Sequence, residues 1–320
     1  MTPYIPHIDI SPLYSSDPAD WQTVATQIDT ACQNSGFFYI TGHTISPERI
    51  AELLALSEAF FALPHDEKLK IDITATPYHR GYGSFGTEQL DPERPGDFKE
   101  TFDMGRHLPE DHPDVLAEKP LHGPNRYPDI DGFRTLMETH YWDMIELGKT
   151  ILRGLAIALK IDPDFFADKF TAPISVLRFI HYPQIDLKPD AEQIGAGAHT
   201  DYGCITILYQ DQVGGLQVKN RDGEWLDATP VEGSFVINIG DMMARWSNDR
   251  YTSTPHRVIN PSGQERYSMP FFVEPNFDTR ISALEGCYDA DNPARYPEIS
   301  AGDYLLSRFA ATYEYREKFE

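Results

Sequence analysis

A change of texture at Pro173 constrains the fold of this 320-residue chain more than any other feature. Beyond it come short β-branched and aromatic runs, ISVLRFIHY, GCITILYQ, GLQVKN, SFVINI, HRVIN and RYSMPFFVE, broken by Gly, Asp and Asn turns. Strands of this length and spacing predict a β-sandwich or jelly roll, with Asn220-Arg221-Asp222-Gly223 as a hairpin connection. The fold class expected is therefore α+β, because the segment before Pro173 carries helical periodicity.

In that first half, Trp21, Val24, Ile28 and Ala31 recur at three- and four-residue steps, predicting a helix over 19–34 that stops at Gly36. Ser46-Pro47-Glu48 reads as cap and first turn of a second helix reaching about Ala62. The longest periodic run, from Asp131 to Leu159, predicts a supporting helix ended by Ile161-Asp162-Pro163. Between Thr76 and Gly105 the periodicity fails while glycines and prolines alternate with Tyr78, Tyr82, Phe85, Phe98 and Phe102; we expect a lid loop at a substrate entrance there. The organisation expected is an N-terminal helical and mixed region over 1–170, a jelly-roll core over 171–280 and a C-terminal helical segment over 281–320, packed back as one unit.

Charge narrows the partners. With 50 acidic against 27 basic residues the formal net charge is −23, which would repel a phosphate backbone or an anionic membrane surface. Cys32, Cys204 and Cys287 are odd in number and widely spaced, as free thiols in a reducing compartment would be. There is no apolar run of about eighteen residues to span a bilayer, and no secretory leader pattern in MTPYIPHIDISPLY. A soluble, cytoplasmic protein, monomeric or weakly homo-oligomeric, that handles a small molecule is expected.

Chemistry enters with His199, Asp201 and His256. Two imidazoles and one carboxylate on one face of a metal leave open coordination positions, the arrangement of oxygen-activating non-haem Fe(II). The spacing His199-x-Asp201 puts both side chains on one side of an extended segment, and His256 opens a later strand. An isolated His-x-Asp pair arises often by chance, and His43, His112 and His140 read as ordinary core or surface residues. The surroundings make the trio specific.

Those surroundings, HTDYGCITIL (199–208), GGLQV (214–218), VINIGDMMARWSNDRYTSTPHRV (236–258) and ERYSMPFFVEPN (265–276), resemble the 2-oxoglutarate and Fe(II)-dependent oxygenase superfamily, in its isopenicillin-N-synthase-like branch. GFFYITGH (36–43), DFKETFD (97–103) and GPNRYP (123–128) extend the resemblance over nearly the whole chain. It implies a double-stranded β-helix, flanked by the predicted helices, whose open end holds iron through His199, Asp201 and His256. It also implies that Arg266 and Ser268, joined by Tyr182, receive the distal carboxylate of 2-oxoglutarate. The activity implied is a dioxygenase that uses O2, most simply to hydroxylate a small molecule, with release of succinate and CO2. Ile180-His181-Tyr182-Pro183 departs from the Asn-Tyr-Tyr-Pro of many plant members, so an amide beside the co-substrate is missing.

Two rival readings stand. An iron oxidase that dispenses with 2-oxoglutarate, like isopenicillin N synthase, would keep the Arg-x-Ser pair; the chain shows no glutamine near Phe319-Glu320 to match that enzyme's. A non-catalytic metal-binding jelly roll is the other.

Substrate contacts are sought by strand parity. Arg266, Ser268, Pro270, Phe272 and Glu274 should share a face, as should Val176, Arg178, Ile180 and Tyr182. Phe272 and Glu274 are thus candidate substrate contacts, although Phe272 could equally pack core. Arg178, facing inward, must meet a substrate anion or a protein carboxylate, because a buried guanidinium needs a partner. Trp246, Tyr202 and Met243 are further lining candidates, and Asn238 and Asp241 read as turn-formers.

Overall fold

The structure, a computed structural model, describes residues 5–184, 194–259 and 263–318. Strands β1 (His7–Asp9), β2 (Phe37–Thr41), β3 (Gly81–Gly83), β4 (Glu100–Met104), β5 (Val176–Tyr182), β6 (Ala196–His199), β7 (Ile205–Gln210), β8 (Leu216–Lys219), β9 (Trp225–Asp227), β10 (Phe235–Ile239), β11 (His256–Val258) and β12 (Arg266–Val273) form two facing sheets. The larger has the order β1-β2-β10-β7-β12-β5-β4-β3 and the smaller β6-β11-β8-β9. Together they make the double-stranded β-helix. The helices are α1 (Pro18–Asn34), α2 (Pro47–Phe61), α3 (His65–Leu69), α4 (Pro113–Leu116), α5 (Phe133–Ala158), α6 (Asp241–Trp246) and α7 (Ala301–Thr312).

Local chemistry sets the helix ends. The Asp17 carboxylate accepts from the Ala19 amide at the start of α1, and Ser46 Oγ accepts from the Arg49 amide at the start of α2; each is followed by proline in the first turn. α5 ends with Lys160 in the left-handed region (φ 61°). There the Ile161 and Lys160 amides return to the Ala156 and Ile157 carbonyls, closing the carbonyls that a helix end leaves open.

The large sheet is buried on both faces, and alternation assigns each face a job. From β5 and β12, Leu177, Phe179, Met269, Phe271 and Val273 join the main core with α5. The Tyr141 and Phe271 rings meet edge to face at 5.4 Å, and Gly148 lets the helix approach so closely that a Cβ there would sit 3.2 Å from the Val273 methyls. The opposite face, with Phe37, Ile180, Tyr182, Val218, Val236 and Val258, fills the space between the sheets. Placement of side chains by this period-two rule is what delivers functional groups to one cavity.

Most of the expected lid over 76–105 is irregular, with no helix or strand over 84–99, but two short strands frame that stretch. Its ends are β3 and β4, paired to each other and, through β4, to β5. Tyr82 and Phe102 lie in the core, while Phe85 is exposed and stacks on Phe98. Strand β4 escaped the period-two pattern because its charged residues are buried: Glu100 accepts from Lys68 Nζ (2.6 Å) and the Tyr82 hydroxyl (2.7 Å) and meets His181 Nδ1 at 2.8 Å. The hairpin expected at Asn220–Gly223 joins β8 to β9, and the extended segment expected at His199 is β6. Asn260, the end of the expected HRVIN strand, lies outside the described residues.

Candidate active site

His199 and His256 face each other as register partners on β6 and β11. Asp201 follows two residues after His199, just past the end of β6. One ligand atom from each lies within 4.8 Å of the others; Asp201 Oδ1 is 3.6 Å from His199 Nε2 and 3.7 Å from His256 Nε2. The far ring nitrogens are committed to backbone carbonyls, His199 Nδ1 to Gly197 (2.7 Å) and His256 Nδ1 to Thr254 (3.2 Å). That fixes which nitrogen faces the common point. Burial, followed by the neighbouring His256, pushes the His199 imidazole down to about 3, leaving it neutral and able to donate a lone pair. Asp201 is held below its usual value: burial opposes this, but His256 and His199 outweigh it.

The other Asp201 oxygen is engaged as well. Oδ2 accepts from Thr206 Oγ1 and from Asn238 Nδ2 (2.7 Å). Asn238 is therefore no turn residue: it sits within β10 and orients a carboxylate. Asp241 opens α6 and accepts from Ser253 Oγ (2.7 Å) and the Tyr304 hydroxyl (2.8 Å). Two nitrogens and one oxygen converging from buried, hydrogen-bonded side chains suit a divalent iron ion.

A cavity of about 90 Å³ opens beside this point. Arg266, Ser268, Pro270, Phe272 and Glu274 all line it, as do Val176, Arg178, Ile180 and Tyr182, so the parity argument places every member of both sets. Tyr202 lines it too, whereas Trp246 and Met243 belong to the core.

At one end Arg266 is fully buried, with its Nε bonded to the Gly214 carbonyl (2.6 Å) and Nη1 to Ser268 Oγ (3.2 Å). Its guanidinium carbon lies 4.7 Å from the Tyr182 ring centroid, Tyr182 being its register partner on β5. No carboxylate pairs with Arg266 among the described salt bridges. A buried, oriented guanidinium flanked by a hydroxyl fits a bidentate carboxylate.

At the other end, Arg178 meets protein carboxylates. Its Nε donates to Asp103 (2.7 Å), Nη1 to both Glu88 oxygens (3.1 and 3.2 Å) and Nη2 to the Tyr313 hydroxyl (2.8 Å). Of the two partners the sequence left open, the structure supplies the protein one. Lys99 extends the network, 2.7 Å from Glu88 and 2.8 Å from Asp97, and the Asp97 carboxylate accepts from the Gly197 amide (2.9 Å) next to the iron ligands. Burial pulls the Lys99 ammonium down, but Asp97 and Glu88 more than offset it and hold it high. Glu88 is likewise held well below its usual range despite its burial, by Arg178 and Lys99. From the 76–105 segment it is thus Glu88, Leu90, Lys99 and His79 that line the cavity. The five aromatics singled out there do not. Sequence reasoning missed these four; DFKETFD, with its buried charges, was the one available hint.

A double-stranded β-helix with a two-histidine, one-carboxylate cluster at its open end and a buried arginine deeper in the cavity defines a class, the non-haem Fe(II) oxygenases that use a keto-acid co-substrate. Comparison with known proteins agrees. Residues 173–275 match the model of the 2OG-Fe(II) oxygenase superfamily, and residues 5–130 that of the N-terminal region of non-haem dioxygenase in morphine synthesis. The chain is 38% identical to the 2-oxoglutarate-Fe(II) type oxidoreductase hxnY of Emericella nidulans, covering 98% of this chain and 92% of the relative. It is 40% identical to a homoarginine-6-hydroxylase of Arabidopsis thaliana, covering 95% and 93%. A Neurospora crassa enzyme crystallised with alpha-KG (2-oxoglutarate) and thymine superposes with a TM-score of 0.84 at 35% identity, over 96% of both chains. The chain belongs to the 2OG-Fe(II) oxygenase superfamily, and it is a 2-oxoglutarate-dependent, hydroxylating dioxygenase.

Proposed function

We propose that this dioxygenase holds Fe(II) through His199, Asp201 and His256, seats the distal carboxylate of 2-oxoglutarate on Arg266 and Ser268 beside Tyr182, and oxidises a small molecule bound against Phe272 and Glu274. The observation that carries the reading is the convergence of one ligand atom each from His199, Asp201 and His256 in the wall of a cavity that Arg266 and Ser268 also line. Iron bound there supplies oxygen activation, coupled to conversion of 2-oxoglutarate to succinate and CO2. The chain's own residues orient the reactants. Thr206 and Asn238 fix Asp201, the Gly197 and Thr254 carbonyls fix the imidazoles, and the apolar walls Val176, Ile180, Leu208 and Val258 keep water from the reacting atoms.

Hydroxylation of an aliphatic or methyl C–H bond is the default outcome, in keeping with the hydroxylase relatives. None of the helices of the described residues is long and apolar enough to cross a membrane. With Cys32, Cys204 and Cys287 all buried and free, we place the enzyme in a reducing compartment such as the cytoplasm, as a monomer or weak homo-oligomer without nucleic-acid partners.

The test is succinate release from 2-oxoglutarate with and without O2, in wild type, His256→Ala and Asp201→Ala, against a metabolite panel. Both variants should lose turnover while their melting temperatures stay close to wild type. Full turnover in either would remove the iron assignment.

A further inference from the structure

Resting on that reading, and deepening it, we propose that Glu274 is the specificity residue of the cavity and that the substrate presents a cationic nitrogen, an ammonium or guanidinium group, to its carboxylate.

Glu274 is 3% exposed and lines the cavity, yet its Oε2 finds no hydrogen-bond partner among the described residues. Its backbone is tied on both sides to Ser175, whose Oγ accepts from the Glu274 amide (2.9 Å) and donates to the Glu274 carbonyl (2.9 Å), and Gly203 packs so close that a Cβ there would lie 2.9 Å from Glu274 Cγ. Neither nearby guanidinium group is bonded to Glu274, although Arg80 Nε is buried without a partner among the described residues. Arg80 donates to the Tyr78, His79 and Leu121 carbonyls, and Arg178 to Asp103, Glu88 and Tyr313.

Local pairing points the same way. Lys99 and Arg178 are already shared among Glu88, Asp97 and Asp103, three carboxylates to two cations, and none of the described ion pairs includes Glu274. Burial pushes the Glu274 carboxyl well above its ordinary range, against Arg80. A cation bound opposite it favours the charged carboxylate and brings its proton affinity back down. An anionic substrate has no such vacancy, since Arg178 is already saturated with carboxylates.

A second unsatisfied group faces the same space. His79 is fully buried in the cavity wall, Nδ1 engaged by the Tyr315 hydroxyl (2.7 Å) and Nε2 without a partner among the described residues. It is held in the left-handed region (φ 59°), a strain that persists where the surroundings impose it and that clusters at functional sites. With Nδ1–H donating to the Tyr315 oxygen, Nε2 would be a second acceptor for a donor-rich cation.

The experiment is anaerobic calorimetric titration of the Fe(II)- and 2-oxoglutarate-loaded enzyme with homoarginine, with its uncharged urea analogue homocitrulline and with thymine, in wild type and Glu274→Gln. Expected is at least tenfold tighter binding of homoarginine than of either neutral probe, with proton release on binding, and loss of that preference in Glu274→Gln at unchanged melting temperature. Equal affinity for the three, absence of binding included, or a preference that survives in Glu274→Gln, overturns the inference. Binding of 2-oxoglutarate to the same preparations is measured first: its absence brings down the parent reading, whereas its presence with no cation preference brings down this inference alone.

Discussion

Thr206 and Asn238 are register partners on β7 and β10, and both donate to the same oxygen of Asp201. The pair turns a sheet register into a metal-site constraint: Oδ2 is spoken for, so Oδ1 alone points at the histidines. Loss of such supporting hydrogen bonds commonly weakens metal binding about ten- to a hundredfold. We predict that Asn238→Ala and Thr206→Val each lower Fe(II) affinity by about that factor while the fold persists, as metal titration followed by thermal melting will read. Unchanged iron affinity in both would refute the constraint.

Arg266→Lys should raise the 2-oxoglutarate dissociation constant about ten- to a hundredfold with little change in melting temperature. A point-charge ammonium cannot reproduce the two parallel donors of a guanidinium, and a hydrogen bond to a charged group contributes about 1.5–3 kcal/mol. Calorimetry in the absence of substrate is the direct measurement.

Arg178→Met should act on stability. Asp103 and Glu88 would be left buried with one guanidinium fewer, and breaking a buried pair on one side typically destabilises by about 3–5 kcal/mol. Chemical denaturation should reveal the loss, and 2-oxoglutarate affinity in the surviving folded enzyme should match wild type. A variant as stable as wild type would mean that the network around Glu88 rearranges at no cost.

His140, 2% exposed on α5, is pushed down to about 3 by burial and then by Arg49. Its folded-state value lies below the unfolded one of about 6.5, so between the two the unfolded chain binds more protons. Stability then falls as pH drops from about 6.5 toward 3, by at most about 1.4 kcal/mol per pH unit. Melting curves at pH 7 and pH 5 should show the decline, and His140→Phe should flatten it.

Much of this was legible because strand alternation is local. Counting by twos along β5 and β12 located nine cavity residues, since a regular strand leaves no other choice. What escaped was decided by partners distant in sequence. Glu100 and Asp103 made β4 look like a loop, and only Lys68, Tyr82, His181 and Arg178, brought in from elsewhere, make their burial tolerable. Asn238 looked like a turn residue because the NIGD string contains turn formers; that it faces Asp201 depends on the β7–β10 register. His79 offered no signal beyond being a histidine.

The pairing of β2 with β10, in which Phe37 lies opposite Asn238, carries a kinetic consequence. Every neighbour contact in the large sheet from β2 to β5 joins segments that are far apart along the chain, so loop closure precedes reward and folding should be slow for the size. Until residues 235–239 dock, β2 presents bare backbone along one edge, an invitation to pair with another chain. Yield in a heterologous host should therefore respond to synthesis rate and temperature more than to changes on the protein's acidic surface.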